Sequence, residues 1–301
     1  MCGIVGLYLK NPDLRVGLGR LFAPMLVEMT ERGPDSAGLA IYRERAGDDG
    51  VAKVTVYSDE PGHDWNALAA AASAGLGVEV DVEPVSTHAI LRAPLDASKL
   101  RAWVEANRAD IRVMSSGSVL EIYKEIGLPA DVLDRFEVSQ MAGSHMIGHT
   151  RMATESAVTT AGAHPFNTGD DLCLVHNGSL SNHNRLRDWL RDKQGVRFQT
   201  DNDSEVAAGY FTWRLGQGAT ISEALEAGIK DLDGFYTFAI GTRDGFSVLR
   251  DPIACKPAVM AETDDWVAMS SEFRALARLP GVDDAVVWEP KPGTVYSWGA
   301  A

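Results

Sequence analysis

The order of apolar patterns along the chain predicts an α+β layered fold, with two sheets and helices packed outside them. Three observations carry this. The chain opens on a buried-strand pattern, Ile4 to Leu9. Three helical patterns follow one another between residues 182 and 232. The last third alternates in the β manner around short turns such as Arg243-Asp244-Gly245.

The opening Met1-Cys2-Gly3-Ile4-Val5-Gly6-Leu7 is the stretch around which the rest is organised. Removal of Met1, which a residue as small as Cys permits, would make Cys2 the N-terminus. An ordinary thiol has a pKa of about 8.5 and an α-amine about 7.7–8.0, so near neutral pH part of the amine is free to accept a proton. One residue then supplies both nucleophile and base. Gly3 is expected to leave open space beside the thiol. On its own, Met1-Cys2-Gly3 reads equally well as a start methionine before a core cysteine.

The 301 residues are 45% hydrophobic and 23% charged, which suits a soluble enzyme of one large domain or two smaller ones. A net charge of −14 argues against nucleic acid and anionic membrane surfaces as partners. No apolar run approaches the ~20 residues of a membrane span, and no secretory signal is visible. Three scattered cysteines, Cys2, Cys173 and Cys255, are not a disulfide framework. A cytoplasmic location is expected.

Leu18, Leu21, Phe22, Met25, Leu26 and Met29 form one face of a helix that Gly33-Pro34 ends after Arg32. A strand at 39–42 follows. Residues 51–112 carry a βαβ-like texture and read as an insertion of unknown role within a single 1–301 domain; its His63 and His88 read as structural or surface residues. Val119 to Ile126 reads as helical, and 146–150 and 172–176 as strands. His176-Asn177-Gly178 sits where a strand enters a turn. Cys173 reads as a buried, inert thiol. Ser181 or Asn182 is expected to cap a helix through Leu190, and acidic residues open the next helix near Asp203. Helices at 221–232 and 270–279 and short strands complete the chain.

Five motifs in order carry a resemblance: Cys2-Gly3-Ile4-Val5-Gly6, Arg32-Gly33-Pro34-Asp35-Ser36-Ala37-Gly38, His149-Thr150-Arg151-Met152-Ala153-Thr154, His176-Asn177-Gly178 and Asp203-Ser204-Glu205. Together they resemble the class II glutamine amidotransferases, the N-terminal-nucleophile glutaminase domains of glutamate synthase, amidophosphoribosyltransferase and glucosamine-6-phosphate synthase. The likeness spans about 1–50 and 113–298. It implies a four-layer α/β/β/α sandwich of two antiparallel sheets, here with a small α/β insertion.

The resemblance implies roles. Cys2 would attack the side-chain amide of L-glutamine and form a thioester as ammonia leaves. Asn177 and Gly178 would donate to the oxyanion, each donor contributing on the order of 3 kcal/mol. Arg151 would bind the substrate carboxylate as a bidentate fork, Thr154 would add a hydroxyl contact, and Asp203 would pair with the α-ammonium. Arg32, Asp35 and His176 would support the site. Read without the resemblance, Asn177-Gly178 is a plain turn and Asp203 a helix N-cap.

His149, His164 and His176 lie in separate motifs without ligand spacing, so no metal site is expected. No cofactor is expected in this chain; a flavin or iron–sulfur cluster would belong to a partner subunit. Met152 stands where the glucosamine synthase branch has an aromatic residue, which loosens any inference about how this loop gates the site.

The sequence ends directly after the glutaminase-like strands, so the acceptor chemistry is expected on another polypeptide in a hetero-oligomer. The small subunit of glutamate-synthase-like complexes, such as N-methylglutamate synthase, is the nearest likeness. Two other readings stand beside it: an N-terminal-nucleophile amidase acting on a different amide, and a non-catalytic regulatory subunit that keeps the fold.

Overall fold

A computed structural model describes residues 2–43, 50–153 and 157–299. Thr154, one of the expected substrate contacts, lies outside them, as does Met1. In chain order the first half forms β1 (Gly3–Leu9), α1 (Leu18–Val27), β2 (Ser36–Tyr42), β3 (Ala52–Tyr57), α2 (Trp65–Leu76), β4 (Asp81–Val85), β5 (His88–Ala93), α3 (Ala97–Asn107), β6 (Arg112–Gly117) and β7 (Leu120–Ile126). Next come α4 (Pro129–Arg135), β8 (His145–Arg151), β9 (Phe166–Gly169), β10 (Leu172–Leu180), α5 (His183–Gln194), α6 (Asp203–Gly216) and α7 (Ile221–Asp231). The chain closes with β11 (Gly234–Thr242), β12 (Gly245–Arg250), β13 (Val259–Glu262), β14 (Trp266–Ser270), α8 (Phe273–Leu276), β15 (Val286–Trp288) and β16 (Val295–Gly299).

Among the described residues these strands make a seven-stranded sheet, β15-β13-β14-β1-β8-β2-β7, and a five-stranded sheet, β16-β12-β11-β10-β9. All their pairings are antiparallel. The first strand of the chain is therefore the middle strand of the larger sheet. Side-chain alternation gives β1 two buried faces. Ile4 joins the core between the sheets, with Ala40, Ile147, Val175, Ala239 and Val248. Val5, Leu7 and Leu9 point the other way onto Leu18, Phe22, Met25 and Leu26 of α1. On the far side, Leu174, Phe238 and Ile240 pack against α6 and α7 through Val206, Phe211 and Leu225. The result is the α/β/β/α sandwich, each layer present because a sheet buried on both faces needs a helix outside it.

A third, four-stranded sheet, β4-β5-β3-β6, spans Ala52 to Gly117 and has its own core with α2 and α3. Its last strand extends past the 51–112 boundary read from the pattern. The sheet's other face docks on the main body, where Ile90 enters the outer core and the His88 ring meets Tyr123 and Phe136.

Residues 120–126 are a strand, β7, rather than the expected helix. Val119, Ile122, Tyr123 and Ile126 fall at i, i+3, i+4 and i+7 and mimic a helical face. The true period is hidden because β7 is buried on both sides and its charged residues are buried with it. Glu121 is fully buried and takes hydrogen bonds from Arg43 and from the Tyr123 hydroxyl (2.8 Å), with Lys53 at 3.4 Å. Burial pushes its pKa up, but the Arg43 and Lys53 charges outweigh that and hold the carboxyl below the usual range. The helix expected at 270–279 shrinks to Phe273–Leu276, because Ser270 and the two residues after it belong to the central sheet and its edge.

Burial pushes His88 down to about 3, with the Lys124 and Arg135 charges adding to the effect. The unfolded chain, with an ordinary imidazole near 6.5, then binds one more proton than the folded one between those values. This contribution to stability is full above pH 6.5 and is lost as pH falls, at about 1.4 kcal/mol per pH unit. A His88→Phe variant should lose less stability between pH 7 and pH 4.5 than the parent in urea titrations. Equal losses would show that His88 does not set the slope.

Candidate active site

Cys2 is half-buried and immediately precedes β1. The register pairs Gly3 with Thr150, which brings Arg151, the last residue of β8, alongside Cys2. Two side chains hold the Cys2 carbonyl: Arg32 Nε donates at 3.0 Å and Asn177 Nδ2 at 3.2 Å. Arg32 is fixed in turn by Glu272 at 2.7 Å, and the hydrogen bond from Arg32 holds the Glu272 carboxyl below the usual range. Two residues further on, Ile4 N donates to Ser271 Oγ at 2.9 Å and Ser271 N donates to Ile4 O at 3.0 Å.

Gly3 does not leave open space beside the thiol. A Cβ there would lie 2.7 Å from Met29 Cβ and 2.8 Å from Thr150 Oγ1, which itself donates to Met29 O at 3.0 Å. Glycine is needed because the end of α1 and the neighbouring strand close on the backbone at this point.

His176-Asn177-Gly178 is not a turn. β10 runs straight through it, pairing Asn177 with Thr237 and Gly178 with Tyr236. Asn177 shares the inward face with Cys173 and Val175, and so reaches Cys2 across the gap between the sheets. Gly178 has φ +152, and a Cβ on it would sit 2.0 Å from the Phe235 carbonyl oxygen. His176, on the opposite face, meets Ser204 Oγ through Nδ1 at 2.8 Å, with Asp203 Oδ1 at 3.8 Å. Burial depresses its pKa against the pull of Asp203, so the imidazole is neutral at pH 7.

Asp203 is the first residue of α6 and not its cap. Asn202 caps the helix by accepting from Ser204 N at 2.9 Å. The Asp203 carboxylate accepts from Leu180 N at 2.9 Å and from Ser204 Oγ at 3.3 Å. Arg151 is buried, and its Nη1 donates to Ala157 O at 3.3 Å. Asp35 fixes the chain that leaves Arg151: its Oδ2 accepts from Ala153 N at 2.7 Å, and its own N–H donates to Arg151 O at 3.1 Å.

The structure thus gathers Cys2, Arg32, Asn177 and Arg151 at one end of the two sheets. Asp203 and His176 form a second cluster at the start of α6, beside Gly178. Asp35 lies behind Arg151. Ser271 and Glu272 carried no usable sequence signal, because Ser and Glu at helix starts are commonplace.

His149 Nε2 donates to His176 O at 3.1 Å, a tie between the two sheets, and its ring stacks on His164 at 4.0 Å. Burial pushes His149 down to about 3. Among the described residues no group of three or more His, Cys, Asp or Glu side chains is arranged to hold a metal ion. Cys173 is buried under the Tyr42 hydroxyl, 3.3 Å from its Sγ, and burial pushes its thiol up to about 11, as fits an inert core cysteine. An open cleft of about 510 Å³, lined by Arg15, Arg43 and Arg243 among others, lies beyond Tyr8, at the other end of β1 from Cys2.

Comparison with known proteins gives the family of the chain. A glutamine amidotransferase domain family matches residues 149–278. The glutamine amidotransferase-like protein GlxB of Rhizobium meliloti (strain 1021) is 56% identical over 300 residues, covering 99% of this chain and 98% of its own length. The chain belongs to the glutamine amidotransferases. A putative glutamine amidotransferase of Methanothermobacter thermautotrophicus is 32% identical over 98% of both chains. Among solved structures, the glutamine phosphoribosylpyrophosphate amidotransferase from B. subtilis superposes with a TM-score of 0.61 at 20% identity. It covers 99% of this chain, which spans 47% of that one, and the likeness is one of fold.

In this amidotransferase a Gly178→Ala substitution places a methyl group against the Phe235 carbonyl and at a φ that L side chains rarely adopt. It should destabilise the fold by more than about 1 kcal/mol. Guanidinium unfolding of the variant beside the parent measures this; an unchanged midpoint would show that the strand can relax around the methyl.

Proposed function

We propose that the chain is an ammonia-donating glutaminase subunit, with Cys2, freed by removal of Met1, as the nucleophile. The observation that carries this reading is the convergence on Cys2 of Asn177 from the second sheet and Arg151 from the neighbouring strand. The free α-amine takes the thiol proton, and the thiolate attacks the γ-carbonyl carbon of L-glutamine. The oxyanion that forms would accept from the Asn177 amide and the Gly178 N–H, donors already fixed in a strand, so little reorganisation is needed as charge develops. Collapse expels ammonia and leaves a γ-glutamyl thioester on Cys2, which water hydrolyses to glutamate. Arg151 would bind the α-carboxylate and Asp203 the α-ammonium; Thr154 would add a hydroxyl contact.

Arg32 and Asn177 act together before any substrate binds. By gripping the Cys2 carbonyl they fix the main chain that carries the thiol, a positioning that enzymes exploit heavily. Asp35 steadies the residue after Arg151, and His176 with Ser204 steadies the Asp203 carboxylate.

The ammonia would pass to a separate synthase-type subunit of a glutamate synthase or N-methylglutamate synthase-like complex in the cytoplasm, with any flavin or iron–sulfur cluster held there. Support comes from the Rhizobium relative, which this chain matches over 98% of that protein's own length.

Intact mass before and after 6-diazo-5-oxo-L-norleucine tests the chemistry. Loss of Met1 and one adduct, absent in Cys2→Ala, is the expected result. An unlabelled wild-type chain, alone and with its neighbouring subunits, would refute the nucleophile. Arg151→Lys keeps the charge but loses the fork, so KM for glutamine should rise at least tenfold, about 1.4 kcal/mol, with kcat less affected. Asp203→Asn should raise KM similarly while the Leu180 N–H keeps an oxygen acceptor. KM values within twofold of the parent would remove both residues from the substrate clamp.

A further inference from the structure

Lys124 is buried on β7 and, among the described residues, has no carboxylate within ion-pair distance. Its Nζ donates to three main-chain carbonyls of one segment: Ala161 at 3.2 Å, Ala163 at 2.8 Å and Pro165 at 3.2 Å. It also lies 4.7 Å from the centre of the Phe166 ring. The next residue, Glu125, grips the same segment. It accepts a short hydrogen bond from the Thr160 hydroxyl. Its other oxygen accepts from Thr87 of the third sheet at 3.1 Å.

This segment closes over the expected carboxylate clamp. Arg151 Nη1 donates to Ala157 O, and a Cβ on Gly162 would lie 3.4 Å from the same nitrogen. At its far end the His164 ring stacks on His149, which ties the two sheets together. An ammonium satisfied by carbonyls alone is a costly thing to bury. A lysine with no ion-pair partner among the described residues, placed under a segment that touches the Arg151 guanidinium, fits a role in holding that segment.

We propose that Lys124 and Glu125 are positioning residues for glutamine binding: from β7 they hold residues 157–165 against the Arg151 guanidinium, so that the carboxylate clamp is preformed. This rests on the reading of Arg151 as a substrate ligand. It also gives the third sheet a function, because Thr87 braces the same segment through Glu125.

The hold depends on pH. Burial pushes Lys124 down to about 7; Glu205 of α6 opposes this, while Arg112 of β6 and Arg151 of β8 add to it. His88 and His164, which also face Lys124, are themselves held neutral. Below pH 7 the ammonium offers three donors to three carbonyls. Above it the neutral amine offers two, and the grip loosens.

Glutaminase kinetics from pH 6 to 9 on the full chain, with hydrogen exchange of 157–165, test the proposal on Lys124→Met and Thr160→Val. Both variants should raise KM for glutamine at least tenfold with kcat within threefold, and both should exchange faster in 157–165. The parent and Thr160→Val should show KM rising above pH 7, a limb that Lys124→Met lacks. If Lys124→Met does not fold, the nearly isosteric Thr160→Val decides. A folded variant with unchanged KM and unchanged exchange would overturn the proposal. A parent with no glutaminase activity would instead count against the nucleophile reading, and the exchange data would still test the anchor.

Discussion

The position of the first strand is the constraint on which the rest of the structure depends. Chain termini ordinarily fray, since few contacts repay the entropy of ordering them. Here the residue after Met1 adjoins the middle strand of seven, buried on both faces and paired on both edges. The chain must therefore bring β14, from its last fifth, and β8, from its middle, to either side of its own start. The Cys2 carbonyl is then gripped by Arg32 and Asn177. The main chain at Cys2 can be held accurately because the whole sheet is built around it.

Polar groups buried near this strand are settled one at a time. His149 is neutral and spends its Nε2 proton on the His176 carbonyl, joining the sheets. Glu121 is kept ionised by Arg43 and Lys53, and Lys124 is distributed over three carbonyls. Such groups add little net stability compared with apolar packing, but an unmet partner is costly, so each fixes the relative placement of the elements it touches. β7 carries two of them, Glu121 and Lys124. It is the strand through which the third sheet and the segment beside Arg151 are fastened to the central body.

The charge of the whole and the charge of the site differ. The chain carries a net −14, yet Arg32 and Arg151 converge on Cys2 with Glu272 as a local counter-ion. Cationic and anionic side chains are thus gathered near Cys2 against the acidic balance of the whole chain.

The sequence by itself determined the layers and the chemistry-bearing residue types. A continuous apolar opening, a helical face from Leu18 to Met29 and alternation in the last third are local periodicities, and five ordered motifs carry the family likeness. Tertiary structure decided what local pattern cannot encode. The spacing of Val119, Ile122, Tyr123 and Ile126 suggests a helix, but a partner on each face makes the segment a strand. Asn177-Gly178 has the composition of a turn, yet pairing with β11 keeps it extended. Gly3 is required by Met29 and Thr150, residues distant in sequence. Ser271, Glu272 and Lys124 gain their contacts from partners 37 to 267 positions away, and no local window along the chain contains both partners.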